Sequence, residues 1–440
     1  MRLAITNTTV VTGDGSTILP DRSVIVEDGL IVDIVPERYP YYDPADLLID
    51  AHGGLTIPGL INHHVHGLSV GPIQAIGQPP LSLARATHNL DILLSQGVTT
   101  ALNVDGLPTV DEVEAVGHGH PINLKTTTLH TPTYLRWANS ARFGYGTVTA
   151  RHHTSVAAML ARGAVAVGEA GPGSDVHWPD YVLIPEAVQR QTGCRLLREQ
   201  AVELRELVER GAAANELDAA LARFGVTGMV ASDIEELVAA TVSWQALSRE
   251  GCYEAAQVAK QLDAPLVLHN TPIVADMVRE IAAENRERTI AGHSNFYYTD
   301  AAQAIDVARY VKARGGWVDI MGGDSFGGRR FFTSLDLHTA MLRAGVVDML
   351  STDYCGGFWD SMLRVLGACV DAGAVSLPQA IALVTGNVAR ILPQLAPNRG
   401  LVEVGRVADL AIVDAKRLED VACVIIQGKI VLHHGQRAVA

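Results

Sequence analysis

The sequence predicts an α/β protein, a (β/α)8 TIM barrel carrying a small β-sandwich lobe formed from both chain ends. Three observations lead there. Eight apolar strand-like runs alternate with amphipathic helical stretches through the middle of the chain, the texture of parallel βα units. Short strands broken by Asp-Gly and other Gly turns fill residues 1–57 and recur in 400–440. Five of the eight runs end in a His or acidic residue that could serve as a metal ligand, at His66, Glu169, His269, His293 and Asp353. In a barrel of this kind the strand C-termini carry the chemistry.

The first lobe segment reads as Leu3 to Val11, Ser23 to Glu27 and Leu30 to Val35, with turns at Gly13-Asp14-Gly15 and Asp28-Gly29. Its counterpart reads as Ala408 to Val413, Val421 to Gln427 and Ile430 to His434. The predicted domains are therefore 1–57 plus 400–440 for the lobe and 58–399 for the barrel. The eight barrel runs are Thr56 to His66, Val98 to Val104, Asn123 to His130, Ala164 to Glu169, Pro265 to His269, Thr289 to His293, Gly316 to Met321 and Val347 to Asp353.

One interval is too long. About ninety residues separate the fourth run from the fifth, where a βα unit needs about thirty. Ala, Leu, Glu, Arg and Gln at helical spacing fill it, so a helical insertion is predicted at about 185–262, as a lid or an oligomer contact. A second long loop, Thr131 to Thr154, brings Trp137 to the expected rim of the site.

Composition narrows the function. A hydrophobic content of 48% over 440 residues supports a large core, and a net charge of -14 leaves no basic footprint for nucleic acid or an anionic membrane. No run is long enough to span a bilayer, and Met1 to Ile5 leads directly into strand-like sequence without a leader, so a cytoplasmic location is expected. Five scattered cysteines without a Cys-x-x-Cys argue against a disulfide framework.

His64 and His66 end the first run two residues apart, so a strand turns both imidazoles to one side. Glu169, His269, His293 and Asp353 end later runs. Each alone is an ordinary core or rim residue; together, in barrel order, they are candidates for one metal site. His118-Gly119-His120 repeats the spacing but lies before the third run, on the far face, and is read as a decoy. His152, His153, His177, His433 and His434 lack a strand-end context.

Residues Pro58-Gly59-Leu60-Ile61-Asn62-His63-His64-Val65-His66, with the four later strand ends, resemble the amidohydrolase superfamily. Asn62 departs from the family's usual Asp at a position that is not a metal ligand. Gly405 to Asp414 is similar to the family's return into the β lobe, and Thr385 to Ala389 to its last barrel helix. The resemblance implies two divalent metal ions, zinc first, with iron or manganese compatible. His64, His66 and Asp353 would hold one, His269 and His293 the other, and Glu169 would bridge them. Many relatives bridge with a carboxylated lysine; here the fourth run offers Glu169, the enamidase-like pattern, with Lys125 as its rival.

The implied activity is hydrolysis of a carbon-nitrogen bond other than a peptide, first of all in a cyclic amide, lactam or imide. Metal coordination would activate water, Asp353 would shuttle the proton to the leaving nitrogen, and His130 would polarise the carbonyl. Arg329 and Arg330 could clamp a carboxylate or form an exposed pair; Trp137, Phe358 and Trp359 could sandwich a ring or pack their loops; Asn270 could orient a ligand or touch substrate. The rivals are a heterocycle deaminase releasing ammonia, a dipeptidase or amino-sugar deacetylase, and a non-catalytic interaction protein on the same scaffold. The expected partners are a small-molecule substrate and further copies of the chain, with no nucleic acid and no membrane.

Overall fold

The computed structural model describes residues 2–36, 47–171, 179–296, 299–323, 334–355 and 360–437. Arg329, Arg330, Phe358, Trp359 and His177 lie outside the described residues. The chain opens with β1 (Arg2–Val11), β2 (Ile18–Glu27), β3 (Leu30–Pro36), β4 (Leu47–Asp50) and β5 (Leu55–Pro58). Asp28 and Gly29, both at positive φ (46° and 84°), turn β2 into β3, the geometry that two-residue hairpins favour.

The middle of the chain begins with β6 (Leu60–His66), α1 (Leu83–Ser95), β7 (Val98–Asn103), α2 (Val110–Gly117), β8 (Asn123–Thr126), α3 (Pro132–Ala138), α4 (Val156–Ala161) and β9 (Val167–Ala170). The long interval folds as α5 (Ile184–Thr192), α6 (Arg198–Glu209), α7 (Ala214–Arg223) and the 31-residue α8 (Ala231–Gln261). Then follow β10 (Leu266–His269), α9 (Ala275–Asn285), β11 (Thr289–Gly292), α10 (Ala301–Ala313), β12 (Trp317–Met321), α11 (Leu335–Arg343), β13 (Met349–Ser351) and β14 (Tyr354–Cys355). Three helices, α12 (Met362–Asp371), α13 (Leu377–Ala382) and α14 (Gly386–Ile391), lead to β15 (Leu410–Val413), β16 (Val421–Ile426), β17 (Lys429–His433) and β18 (Gln436–Arg437).

Strands β6, β7 and β8 pair in parallel, as do β9 to β13 in succession. A parallel bridge joins Thr128 to Val167 between the two sets, and β14 pairs in parallel with β6. Every residue of β6, β7, β9, β10 and β11 is buried. Parallel strands buried on both faces read as the unbroken apolar runs seen in the sequence.

Both chain ends build one nine-stranded sheet, in which β5 lies between β1 and β15. Leu3, Ile5, Val24 and Ile31 share a core with Leu410, Ile412, Cys423 and Ile425. The β2-β3 and β16-β17 hairpins meet turn to turn: a Cβ on Gly428 would lie 2.9 Å from the Gly29 Cα, so only glycine fits there. Asp409, below this junction, takes the Arg399 guanidinium at 2.7 Å.

Candidate metal centre

Period-two alternation in β6 does present His64 and His66 together, with ring centroids 5.6 Å apart. The strand-end residues of β9, β10 and β11 arrive around them. Glu169 Oε1 lies 3.0 Å from His269 Nδ1 and 2.7 Å from His293 Nε2. Its other oxygen, Oε2, lies 3.5 Å from His64 Nε2 and 3.4 Å from His66 Nε2. Asp353 Oδ1 closes the far side, 3.4 Å from His66 Nε2 and 3.7 Å from His64 Nε2. Among the described residues, two groups bring their donor atoms within 4.8 Å of one another: His64, His66 and Asp353, and His64, Glu169 and His293.

Close packing makes this convergence possible. A Cβ at Gly292 would stand 3.1 Å from His64 Cε1 and 3.0 Å from the Leu268 carbonyl oxygen, so the residue before His293 has to be small. His293 and Asp353 themselves sit at positive φ, 32° and 50°, a conformation that non-glycine residues hold only when their surroundings enforce it. The enforcing bonds are visible. His293 donates its N–H to Asp319 Oδ2 at 3.0 Å, and Asp353 donates its N–H to the His64 carbonyl at 3.1 Å.

Electrostatics follow the same grouping. Burial is the largest influence on Glu169 and opposes its charge, but His64, His269 and His293 outweigh it and hold the carboxyl well below the ordinary range. Asp353 is drawn down in the same way, against its burial, by His66, His293 and His64. His64 and His66 move upward because facing carboxylates overcome their desolvation.

The remaining sequence candidates divide. Asn62 bonds Thr352 Oγ1 at 2.7 Å, so the family-atypical residue buttresses the neighbour of Asp353 and stays out of the cluster. Asn270 donates to Ser294 Oγ at 2.9 Å, tying the residue after His269 to the residue after His293. His130 is buried, with Nδ1 2.9 Å from Thr128 Oγ1, and burial followed by the His152 charge brings its pKa down to about 4. Trp137 corrects the pocket-wall expectation: it is 1% exposed, stacked on Trp244 of α8 at 4.1 Å, and its Nε1–H bonds the Trp244 carbonyl. The helical insertion thus grips the third loop from behind. Lys125 is half-buried within β8, whereas Glu169 is the carboxylate that lies between the His64–His66 and His269–His293 imidazoles.

Sequence reasoning missed four neighbours. Asp319, inside β12, accepts from His293 N–H and from Ser351 Oγ, and its Oδ1 lies 3.0 Å from His63 Nε2. Asp105 bonds His66. Phe296 places its ring 5.4 Å from His293 and 5.8 Å from His269. Asp105 carried a usable signal, since it directly follows the second apolar run. Asp319 and His63 were hidden within runs otherwise read as core.

Fold and site together define the class of metal-dependent hydrolases. The sequence matches the description "Amidohydrolase family" over residues 55–431, and the chain belongs to that family. Among solved structures it is similar to a β-aspartyl dipeptidase of Fervidobacterium islandicum AW-1 in complex with a β-Asp-Leu dipeptide. That match has 17% identity over 100% of this chain and 99% of the other, with a TM-score of 0.58. A zinc-bound adenosine deaminase of Xanthomonas campestris follows with 16% identity, 99% and 94% coverage, and a TM-score of 0.55. Enamidase gives 16% identity, 99% and 97% coverage, and a TM-score of 0.52. These likenesses show a TIM-barrel-like α/β fold. A curated relative, imidazolonepropionase of Salinispora arenicola (strain CNS-205), is 43% identical over 60 residues, which is 13% of this chain and 15% of that protein's length. Among the described residues no helix is long and apolar enough to cross a membrane.

Proposed function

We propose that the chain is an amidohydrolase holding two divalent ions, zinc first, on either side of Glu169, and that it hydrolyses a cyclic amide, lactam or imide. One observation carries the reading: the two oxygens of a single buried carboxylate face two different imidazole pairs. His64, His66 and Asp353 would hold one ion, His269 and His293 the other, and Glu169 would bridge. Imidazole and carboxylate donors in this mix suit such ions. The buried His64 Nε2, which makes no well-formed hydrogen bond among the described residues, fits the same use.

A bound ion supplies Lewis acidity and a lowered water pKa. The protein supplies the rest. Asp353 is the most accessible of the six, with 16% of its side chain exposed against 1% to 8% for the others. It is the group that takes the proton of the attacking water and returns it to the leaving nitrogen. His130, neutral at physiological pH, is the proposed donor to the substrate carbonyl, through a buried Nε2 without a well-formed hydrogen bond among the described residues.

We extend the reading to the architecture: the Thr128–Val167 bridge and the β14–β6 pairing support closure of the parallel strands into one eight-stranded barrel, spanning 58–399. The sheet from 1–57 and 400–440 would fold over its shared core as a sandwich. Copies of the chain would associate as a homo-oligomer.

Elemental analysis of protein purified without added metal, wild type against Glu169→Ala, tests the site. About two ions per chain in wild type and a sharp loss in the variant are expected for a two-ion bridged centre. One ion, unchanged by the substitution, would remove Glu169 from the site. A panel of lactams and cyclic imides with a coupled ammonia assay tests the reaction; ammonia release would mark a deaminase instead.

A further inference from the structure

We propose that Asp105 is a positioning residue that keeps His66 in the tautomer whose Nε2 is free for a metal ion. The inference rests on the metal-site reading above. Asp105 lies two residues beyond β7 and is fully buried. Its Oδ1 accepts from His66 Nδ1 at 2.9 Å and from the Gln74 N–H at 3.0 Å, and its Oδ2 accepts from the Gly67 N–H at 3.0 Å. Two backbone donors therefore fix the carboxylate as an acceptor on both oxygens. An acceptor-only partner obliges His66 to carry its proton on Nδ1. The lone pair is then on Nε2, the atom that points toward Glu169 and Asp353.

An amide cannot reproduce this. In Asp105→Asn, an NH2 group at the Oδ2 position meets the Gly67 N–H, donor against donor. Flipped to the Oδ1 position, it opposes the Gln74 N–H and donates to His66 Nδ1, which moves the ring proton to Nε2 and removes the metal-binding lone pair. Both orientations are unfavourable. Partners that orient a ligand in this way are worth about 10- to 100-fold in metal affinity.

The experiment is Zn2+ titration against a competing chromophoric chelator for wild type, Asp105→Asn, His66→Ala and the double variant. In Asp105→Asn one of two ions is expected to weaken by about 10- to 100-fold while the other stays within about twofold. Adding Asp105→Asn to His66→Ala should change nothing further, because the residue acts through that ring. Unaltered affinity at both positions, or equal weakening of both, overturns the proposal. Fewer than two ions in wild type refutes the two-ion site itself, a failure visible before any Asp105 variant is examined. If Asp105→Asn does not fold, Asp105→Ser, which keeps one hydroxyl acceptor for the backbone donors, takes the same measurement.

Discussion

Replacing His130 by Asn is expected to flatten the acid limb of the stability profile by about 2.5 kcal/mol between pH 7.5 and 4.5. Burial, with the His152 charge second, moves the imidazole from 6.5 to about 4. A base whose folded value is depressed contributes stability that is fully present above its unfolded value. As pH falls below 6.5 the unfolded chain takes up the proton first, and the contribution is lost progressively until pH 4. Because His130 is only 2% exposed, solvent screening takes little from this figure. Asn preserves a polar atom near the Nδ1 position for Thr128 Oγ1 but cannot titrate. Urea unfolding of chelator-treated wild type and variant at both pH values measures the difference. Contributions from the unchanged cluster are common to both proteins and cancel. Parallel pH profiles for the two, or an imidazole resonance of His130 titrating near 6.5, would refute the reasoning.

Two further perturbations address the packing around the site. Trp244→Ala removes the indole on which Trp137 stacks and is expected to cost about 3 to 5 kcal/mol, with faster proteolysis of the 139–149 loop as the direct readout. Gly292→Ala drives a methyl against His64 and the Leu268 carbonyl; about 1 to 3 kcal/mol of destabilisation and reduced metal content are expected, checked by calorimetry and elemental analysis.

Much of the candidate site was legible because the end of a buried parallel strand is a local signal. His66, Glu169 and His269 fall inside β6, β9 and β10, and His293 and Asp353 just beyond β11 and β13, as the apolar runs indicated. Boundaries were less secure. The third run stops being strand at Thr126, four residues before His130, because the chain leaves the ladder for the Thr131 cap of α3. Trp137 was misread for a different reason: its partner Trp244 is 107 positions away, on an insertion whose placement no local pattern encodes. Asp319 was invisible because a buried acid inside an apolar run declares itself only through the His293 and Ser351 donors that other strands bring to it.

The single sheet shared by residues 2–58 and 410–437 sets an order of events during synthesis. Strand β5 cannot meet β15, whose Leu410 pairs with Pro58, until some 350 intervening residues have left the ribosome. Until then β5 presents an open edge, the kind of surface that recruits strands from other chains. Any folding of the middle of the chain during synthesis therefore takes place while its lobe is half built. Once β15 arrives, it seals that edge and tethers the start of β6, the strand that carries His64 and His66.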